Sequence, residues 1–234
     1  MMVAATREPS ELTSGWLSVP VTRRRILGDG VEALRRALDD ARQGIAGGED
    51  GPNLARAPWL VVTSGFVFDV LAEQGIDIPG DMPLACVGEG TARRAPRVPD
   101  LVGPPPATAA SFAGALVQTA LPGAIFPTSA LASTVLTDTL DDAGIPSRRI
   151  DIYTSEPAPD GVERLMEARP VVVVVTSSSA ARALVHNWTG RLPALIALGQ
   201  PTARTLTELQ AAPTCVATTP DRRGIEECLE RMSQ

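Results

Sequence analysis

Short apolar runs alternate along the chain with amphipathic stretches. Runs at 3–6, 17–21, 59–63, 84–87, 124–126, 149–153, 171–176, 195–198 and 215–217 are rich in Val, Leu, Ile and Ala. Several are apolar at successive positions, the pattern of strands buried on both faces; a half-exposed strand would alternate apolar with polar. Between them lie stretches apolar on one side only, at 31–42, 65–74, 91–95, 109–120, 130–143, 162–168, 180–188, 203–210 and 225–232. These predict short helices. Strand–helix alternation along the whole chain predicts an α/β fold of doubly wound parallel sheets. The stretch from Gly44 to Pro58 breaks the pattern with Gly, Pro and polar residues and predicts a surface loop, as does Pro104 to Pro106.

Composition narrows the picture. Hydrophobic residues make up 44% of the 234-residue chain and aromatics only 3%, so the predicted cores are aliphatic. Every basic residue other than His186 is an arginine, so lysine Schiff-base chemistry and a lysine-bearing phosphate loop are excluded. The net charge of −6, with no basic patch, argues against a nucleic-acid partner. Cys86, Cys215 and Cys228 are far apart and form no metal-type pair, so they read as small buried apolar residues. No His/Cys/carboxylate cluster points to a metal. No basic-then-apolar leader opens the chain, and the longest purely apolar run, 171–175, is far too short to span a membrane. A cytoplasmic protein is expected. His186 follows a helical run and reads as a helix-end residue without chemistry.

An internal repeat carries more information. Val61-Val62-Thr63-Ser64 matches Val174-Val175-Thr176-Ser177, and Val87-Gly88-Glu89-Gly90-Thr91-Ala92-Arg93 matches Leu198-Gly199-Gln200-Pro201-Thr202-Ala203-Arg204. From Thr63 to Thr176 is 113 residues, and from Thr91 to Thr202 is 111. Two unrelated motifs sharing nearly one offset predict a duplicated α/β half. A fainter match sets Ala5-Thr6-Arg7 against Pro127-Thr128-Ser129.

The repeated motifs place hydroxyls directly after buried strands, at the starts of helices, at Thr6, Thr63-Ser64, Thr128-Ser129, Thr176-Ser177 and Thr202. Such residues cap helices. Helix starts also bind anions, because free N–H groups and the helix dipole point outward there. In a parallel sheet all these ends fall on one edge, where ligands bind. Two duplicated domains with such edges predict a cleft of neutral donors and a few arginines, with Arg7, Arg93 and Arg204 as candidates. That donor set suits a ligand with many carboxylates.

The series 61–64, 87–92, 171–177 and 197–203, opened by Thr6-Arg7 and joined by the strand ending at Tyr153-Thr154, resembles the motif series of uroporphyrinogen-III synthases. The match covers almost the whole chain in the right order. The resemblance implies two doubly wound parallel-sheet domains of duplicated origin, joined by a two-stranded β-ladder. Mapped here, residues 1–20 and 154–234 form the first domain, 24–150 the second, and strands near 17–24 and 149–155 the ladder. In the family a full helix separates the Thr-Arg element from the first linker strand; here only Glu8 to Trp16 fill that gap, so a trimmed first domain is expected.

The resemblance also implies a cofactor-free lyase. Its substrate is hydroxymethylbilane, an open tetrapyrrole with eight carboxylates; its product is uroporphyrinogen III. Loss of the terminal hydroxyl leaves an azafulvene, the far pyrrole attacks through its substituted carbon, and a spiro intermediate re-closes with the last ring inverted. Substrate contacts are then expected at Thr6, Arg7, Thr63, Ser64, Gly88, Thr91, Thr128, Ser129, Thr176, Ser177, Ser178, Gly199 and Thr202. Tyr153, the only tyrosine, is the candidate catalytic residue. A phenol keeps its proton at neutral pH and can donate to a departing oxygen; otherwise Tyr153 is an aromatic packing its ring in the linker. A monomer is expected, free to meet the preceding pathway enzyme in passing. Competing readings are an inactive member of the same family and a bilobal small-ligand-binding protein. A nucleotide enzyme fails the test of its own fingerprint, since Arg93 stands at the third glycine position and Pro201 replaces Gly90 in the duplicate.

Overall fold

The computed structural model describes residues 2–43 and 58–233; the loop expected from Gly44 onward lies, apart from Pro58, outside them. The chain begins with β1 (Val3–Ala5), a 3-10 turn (Glu11–Thr13), β2 (Leu17–Ser18), β3 (Thr22–Ile26) and α1 (Gly28–Arg42). It continues through β4 (Trp59–Val62), α2 (Phe66–Glu73), β5 (Leu84–Cys86), α3 (Glu89–Ala92), β6 (Leu101–Val102), α4 (Ala109–Gln118), β7 (Ala124–Ser129) and α5 (Val135–Asp142). The long β8 (Ser147–Pro157) leads into α6 (Pro159–Ala168), β9 (Val172–Val175), α7 (Ser178–Asn187), β10 (Ala194–Ala197), α8 (Gln200–Glu208), β11 (Cys215–Val216) and α9 (Arg222–Met232).

These elements form two compact units. One comprises Met1–Arg24 with Ser155–Gln234, the other Arg25–Thr154. The first unit's sheet runs β11-β10-β9-β1-β2, with every pairing parallel. The second sheet runs β3-β8-β7-β4-β5-β6, parallel from β8 to β6. Reversed and without the edge strand β3, its order β6-β5-β4-β7-β8 matches the first sheet position for position. The strands that end in the repeated Val-Val-Thr-Ser, β4 and β9, are equivalent, and so are β5 and β10. The faint match is real too: β1, before Thr6, and β7, carrying Thr128, hold the same place.

The continuous apolar runs are explained by burial on both faces. Val173 and Val175 pack with Ala4, Leu165, Leu184 and Leu195, while Val172 and Val174 pack on the opposite face with Ala5, Ile196 and Ile225. In the second unit Leu60, Val62 and Leu84 face one cluster, and Val61 and Ala85 the other. No helix intervenes between β1 and β2. A single 3-10 turn fills the gap, and its Leu12, with Trp16 just after it, packs against the cluster that α9 also covers. Arg222 ties the two together, its guanidinium 4.9 Å over the Trp16 ring and donating to the Ser14 carbonyl at 2.6 Å.

Three expectations need correction. The strand expected over 17–21 and continuing to 24 is broken: Leu17–Ser18 pairs with β1, and a separate strand begins at Thr22. Pro20 stands at the break and has no N–H to extend a ladder. The linker strands are thus β3 and β8, each crossing the division between units. They run antiparallel, since the Leu27 N–H donates to Ile152 O and the Ala158 N–H to Val21 O, at 2.9 and 2.8 Å. The helix expected from Ala130 starts only at Val135. And Cys215 and Cys228 are joined in a disulfide, with Cα atoms 5.8 Å apart, where only buried apolar residues were expected. The pair joins the edge strand β11 to the second turn of α9, a proximity that 13 residues of separation did not announce.

Both linker strands feed a helix in the same manner. α1 opens Gly28-Asp29-Gly30-Val31-Glu32 and α6 opens Pro159-Asp160-Gly161-Val162-Glu163. A Cβ on Gly30 would run into the Asp151 carbonyl, and one on Gly161 into the Pro20 carbonyl. Each helix start is pressed against backbone of the opposite linker segment, and only glycine fits.

Candidate functional site

The hydroxyl-bearing segments all fall at carboxyl ends of parallel strands, but they are not alike. After β9, Ser177 is a true N-cap: its Oγ accepts the Ala180 N–H at 3.1 Å. Ser178 donates to the Pro201 carbonyl at 3.2 Å, tying the start of α7 to the first turn of α8. Thr6 is buried and engaged, donating to Val174 O at 3.3 Å and accepting the Thr176 N–H at 3.1 Å. It stitches the ends of β1 and β9 together and holds Thr176 in place.

Arg7, the next residue, is half-buried. Among the described residues it has no ion pair, and its Nε is buried without a hydrogen-bond partner. A guanidinium in that state is costly unless an anion meets it.

The duplicated glycines share one backbone conformation, φ 176° and ψ 175° at Gly88 against φ −175° and ψ 171° at Gly199. This is ordinary extended backbone. Gly88 is needed for space, because a Cβ there would meet the Ala107 Cβ at 2.6 Å, whereas at Gly199 only Pro201 lies within reach, at 3.9 Å. Each glycine precedes a helix with threonine at its third position, Thr91 in α3 and Thr202 in α8, both buried. Neither threonine hydroxyl has a hydrogen-bond partner among the described residues. α3 is only four residues long, so it adds little dipole to its free N–H groups; α8, with nine, adds more.

In the second unit, Ser64 accepts the Phe66 N–H at 3.3 Å, at the start of α2. Thr63 lines a cavity of about 230 Å³ with Val87, Ala107, Phe126, Ala132 and Leu136. Thr128 and Ser129 do not start a helix. Thr128 is buried inside β7, and Ser129 closes a turn by accepting the Leu131 N–H at 3.2 Å. That turn is held by Arg149, which sequence reasoning did not single out. Its guanidinium donates to the carbonyls of Ala132 and Ser129, at 3.0 and 3.1 Å, and to Asp151 at 2.8 Å. The alternation Arg149-x-Asp151 on one strand face was the signal for it.

Tyr153 lies in β8, where the register slips. Thr128 faces Asp151, but the next residue, Ser129, faces Tyr153, so β8 carries one extra residue. Strict alternation would send Tyr153 to the face opposite Ile150 and Ile152. The bulge brings all three into one cluster. Bulges of this kind re-aim side chains near functional sites. The Tyr153 ring is largely buried, at 8% exposure, and packs edge-to-face on Phe66, with centroids 4.8 Å apart and planes at 80°.

Cys86 sits fully inside β5, where burial pushes its thiol up to about 12. His186 lies in the last turn of α7. Arg93 is the C-cap residue of α3, and Arg204 lies in α8. Among the described residues no group of three or more His, Cys, Asp or Glu could hold a metal ion, and no helix is long and apolar enough to cross a membrane.

Comparison with known proteins gives a consistent result. The family model for uroporphyrinogen-III synthase HemD matches residues 36–226, most of the chain. A search of curated proteins found no match. Among solved structures, a uroporphyrinogen-III synthetase from Helicobacter pylori superposes with a TM-score of 0.67 at 15% identity, covering 99% of this chain and 99% of that one. A mutant uroporphyrinogen III synthase from the extremely thermophilic bacterium Thermus thermophilus superposes with a TM-score of 0.60 at 18% identity, covering 100% and 98%. At such identities the superpositions establish the two-domain α/β fold.

Proposed function

The chain belongs to the uroporphyrinogen-III synthase family, and from that premise we propose how its own residues carry the reaction. The activity is that of a lyase in tetrapyrrole synthesis: hydroxymethylbilane is dehydrated and cyclised to uroporphyrinogen III, with the last pyrrole inverted through a spiro intermediate. Neither the loss of water nor the ring closures need redox chemistry. The protein's work is to hold the two ends of the bilane in one geometry and to help the hydroxyl leave.

Tyr153 is the donor to that departing hydroxyl. The observation that carries this reading is the bulge in β8, which turns the only tyrosine out of strict alternation and seats its ring beside Phe66. A ring that only filled core could have been any apolar residue at the regular position.

Carboxylates of the bilane are held at the carboxyl edge of each sheet. On the first unit the donors are Arg7, Thr176, Ser177 and Thr202 with the N–H groups following Gly199; Thr6 and Ser178 act by fixing their neighbours. On the second they are Thr63, Ser64 and Thr91, the N–H groups following Gly88, and the turn at Thr128 and Ser129. The half-buried, unpaired Arg7 favours this reading most, since an ionised carboxylate is the partner its guanidinium geometry suits. The protein works as a monomer in the cytoplasm, in transient contact with the preceding pathway enzyme. In that reducing compartment the Cys215–Cys228 pair would stand as a dithiol.

Tyr153→Phe tests the assignment. It keeps the ring against Phe66 and removes only the donor, so the melting temperature should hold. Turnover should fall by up to about 10²-fold, with KM little changed, because the lost interaction belongs to the transition state. Spontaneous closure gives the uninverted isomer, so the product should shift toward uroporphyrinogen I. A folded variant that forms the III isomer at the parent rate removes Tyr153 from the mechanism.

A further inference from the structure

The chain has few aromatic side chains, 3% of residues, yet two of them meet at the proposed donor. We propose that Phe66 is a positioning residue that sets the direction in which the Tyr153 hydroxyl donates; this rests on the role given to Tyr153 above.

A phenol O–H bond prefers the plane of its ring, because conjugation holds the oxygen lone pair with the π-system. Fixing the ring plane therefore limits the proton to two directions, and fixing the ring axis places the oxygen. The bulge in β8 sets the axis by choosing the face on which Tyr153 stands. The backbone there is tied down as well, since the Tyr153 carbonyl accepts the Ala130 N–H at 2.8 Å. The plane is left to the neighbours. Ile150 and Ile152 come from the same strand and offer rounded aliphatic surface. Phe66 offers a ring at 80° to the phenol plane, the edge-to-face geometry that the ring quadrupoles favour. Rotating the phenol would lose that contact.

Phe66 is itself held firmly. It is the first residue of α2, and the Ser64 side chain accepts its N–H at 3.3 Å. One turn into α2, Asp69 pairs with Arg94, and the Arg94 side chain fills the space that a Cβ on Gly65 would need. The start of α2 is thus clamped from both sides. Ser64 then has a second part to play, orienting the residue that orients the donor.

Because Tyr153 is the only tyrosine, ring-labelled tyrosine gives one set of NMR signals, and the test can separate contact from catalysis. Phe66→Leu keeps apolar volume and removes the ring; Phe66→Tyr keeps an aromatic edge. Both are made in the parent, Phe66→Leu is also made on top of Tyr153→Phe, and each is checked by thermal melting. In Phe66→Leu the Tyr153 ring signal should move. There kcat for the III isomer should fall about three- to tenfold, with KM unchanged and more uroporphyrinogen I formed. Phe66→Tyr should restore most of the loss. On top of Tyr153→Phe, Phe66→Leu should cost little more, because the hydroxyl it serves is already gone. Equal fold-losses in both backgrounds overturn the proposal, as does a ring signal that moves while kcat stays at the parent value. If Tyr153→Phe alone leaves turnover intact, the donor reading fails and this one falls with it; the shifted ring signal would then mark the contact as packing only.

Discussion

Tyr153 and Arg7 gain their meaning from opposite kinds of local irregularity. Tyr153 is a ring placed where regular alternation would not put it. Arg7 is a charge left without the partner that burial normally demands. Neither irregularity is visible in the sequence: a bulge depends on the pairing of two strands, and an orphaned guanidinium depends on everything that fails to approach it. The residue types were legible, as were their positions after strands, whereas the division of labour among the hydroxyls was not. Thr6 and Thr176 look like equals in the sequence, but Thr6 is buried and already engaged with Val174 and Thr176. For Arg7 the expectation has two signs. Arg7→Leu should raise KM about tenfold or more, the worth of a charged hydrogen bond. It should not lower stability, because a half-buried charge without a partner is removed. A loss of stability with KM unchanged would mean that Arg7 serves the fold. The thiols make a second test. Burial raises the Cys86 thiol from its ordinary value of 9.0 to about 12, so it stays protonated and unreactive well above neutral pH. Its contribution to stability is fully present below about pH 9 and is lost as pH rises toward 12. A thiol reagent at about pH 8 should find none in the native oxidised protein, one after unfolding, and three after unfolding and reduction. Three thiols without reduction would show that Cys215 and Cys228 are not bonded.

At the scale of elements, the hydrophobic pattern located the strands and helices well and their ends poorly. The Thr-Ser pair that ends β7 looked like a helix start because the same residue types lead into α7. In β7 they are followed by a turn whose carbonyls Arg149 gathers, and α5 begins five residues later than the apolar pattern suggested. A side chain twenty residues along the chain decided the matter. The break at Pro20 was readable in principle, but the run through Val19 and Val21 concealed it. The two Asp-Gly-Val helix starts show what the linkers require. Gly161→Ala would gain about 1 kcal/mol of helix propensity, yet its Cβ would meet the Pro20 carbonyl, backbone that cannot move without shifting the linker. Overpacking of that kind costs about 1–3 kcal/mol, so the substitution should destabilise. Gly114→Ala is the control: that glycine lies inside α4 with nothing within 4 Å of the added carbon. It should stabilise by about 0.5–1 kcal/mol. Urea unfolding of the two variants reads the contrast, and two changes of the same sign would refute the close contact as the cause.

At the scale of the whole molecule, the duplication was the most legible feature, because a repeat needs only the sequence to be compared with itself. The strand orders of the two sheets carry it further than the motifs do, matching β1 to β7 and β2 to β8 where sequence similarity is faint or absent. The trimmed N-terminal element was legible too, as a shortage of residues between Arg7 and Leu17. What covers the sheet there was not: the cover consists of a 3-10 turn, Trp16 and Arg222 from the far end of the chain. An active member of the family must direct closure of the bilane in spite of that trimming. The direct measurement is to incubate the purified protein with freshly generated hydroxymethylbilane and separate the product isomers. Uroporphyrinogen III, formed faster than spontaneous closure, is the expected product. Uroporphyrinogen I alone, at the rate seen without protein, would contradict the assignment.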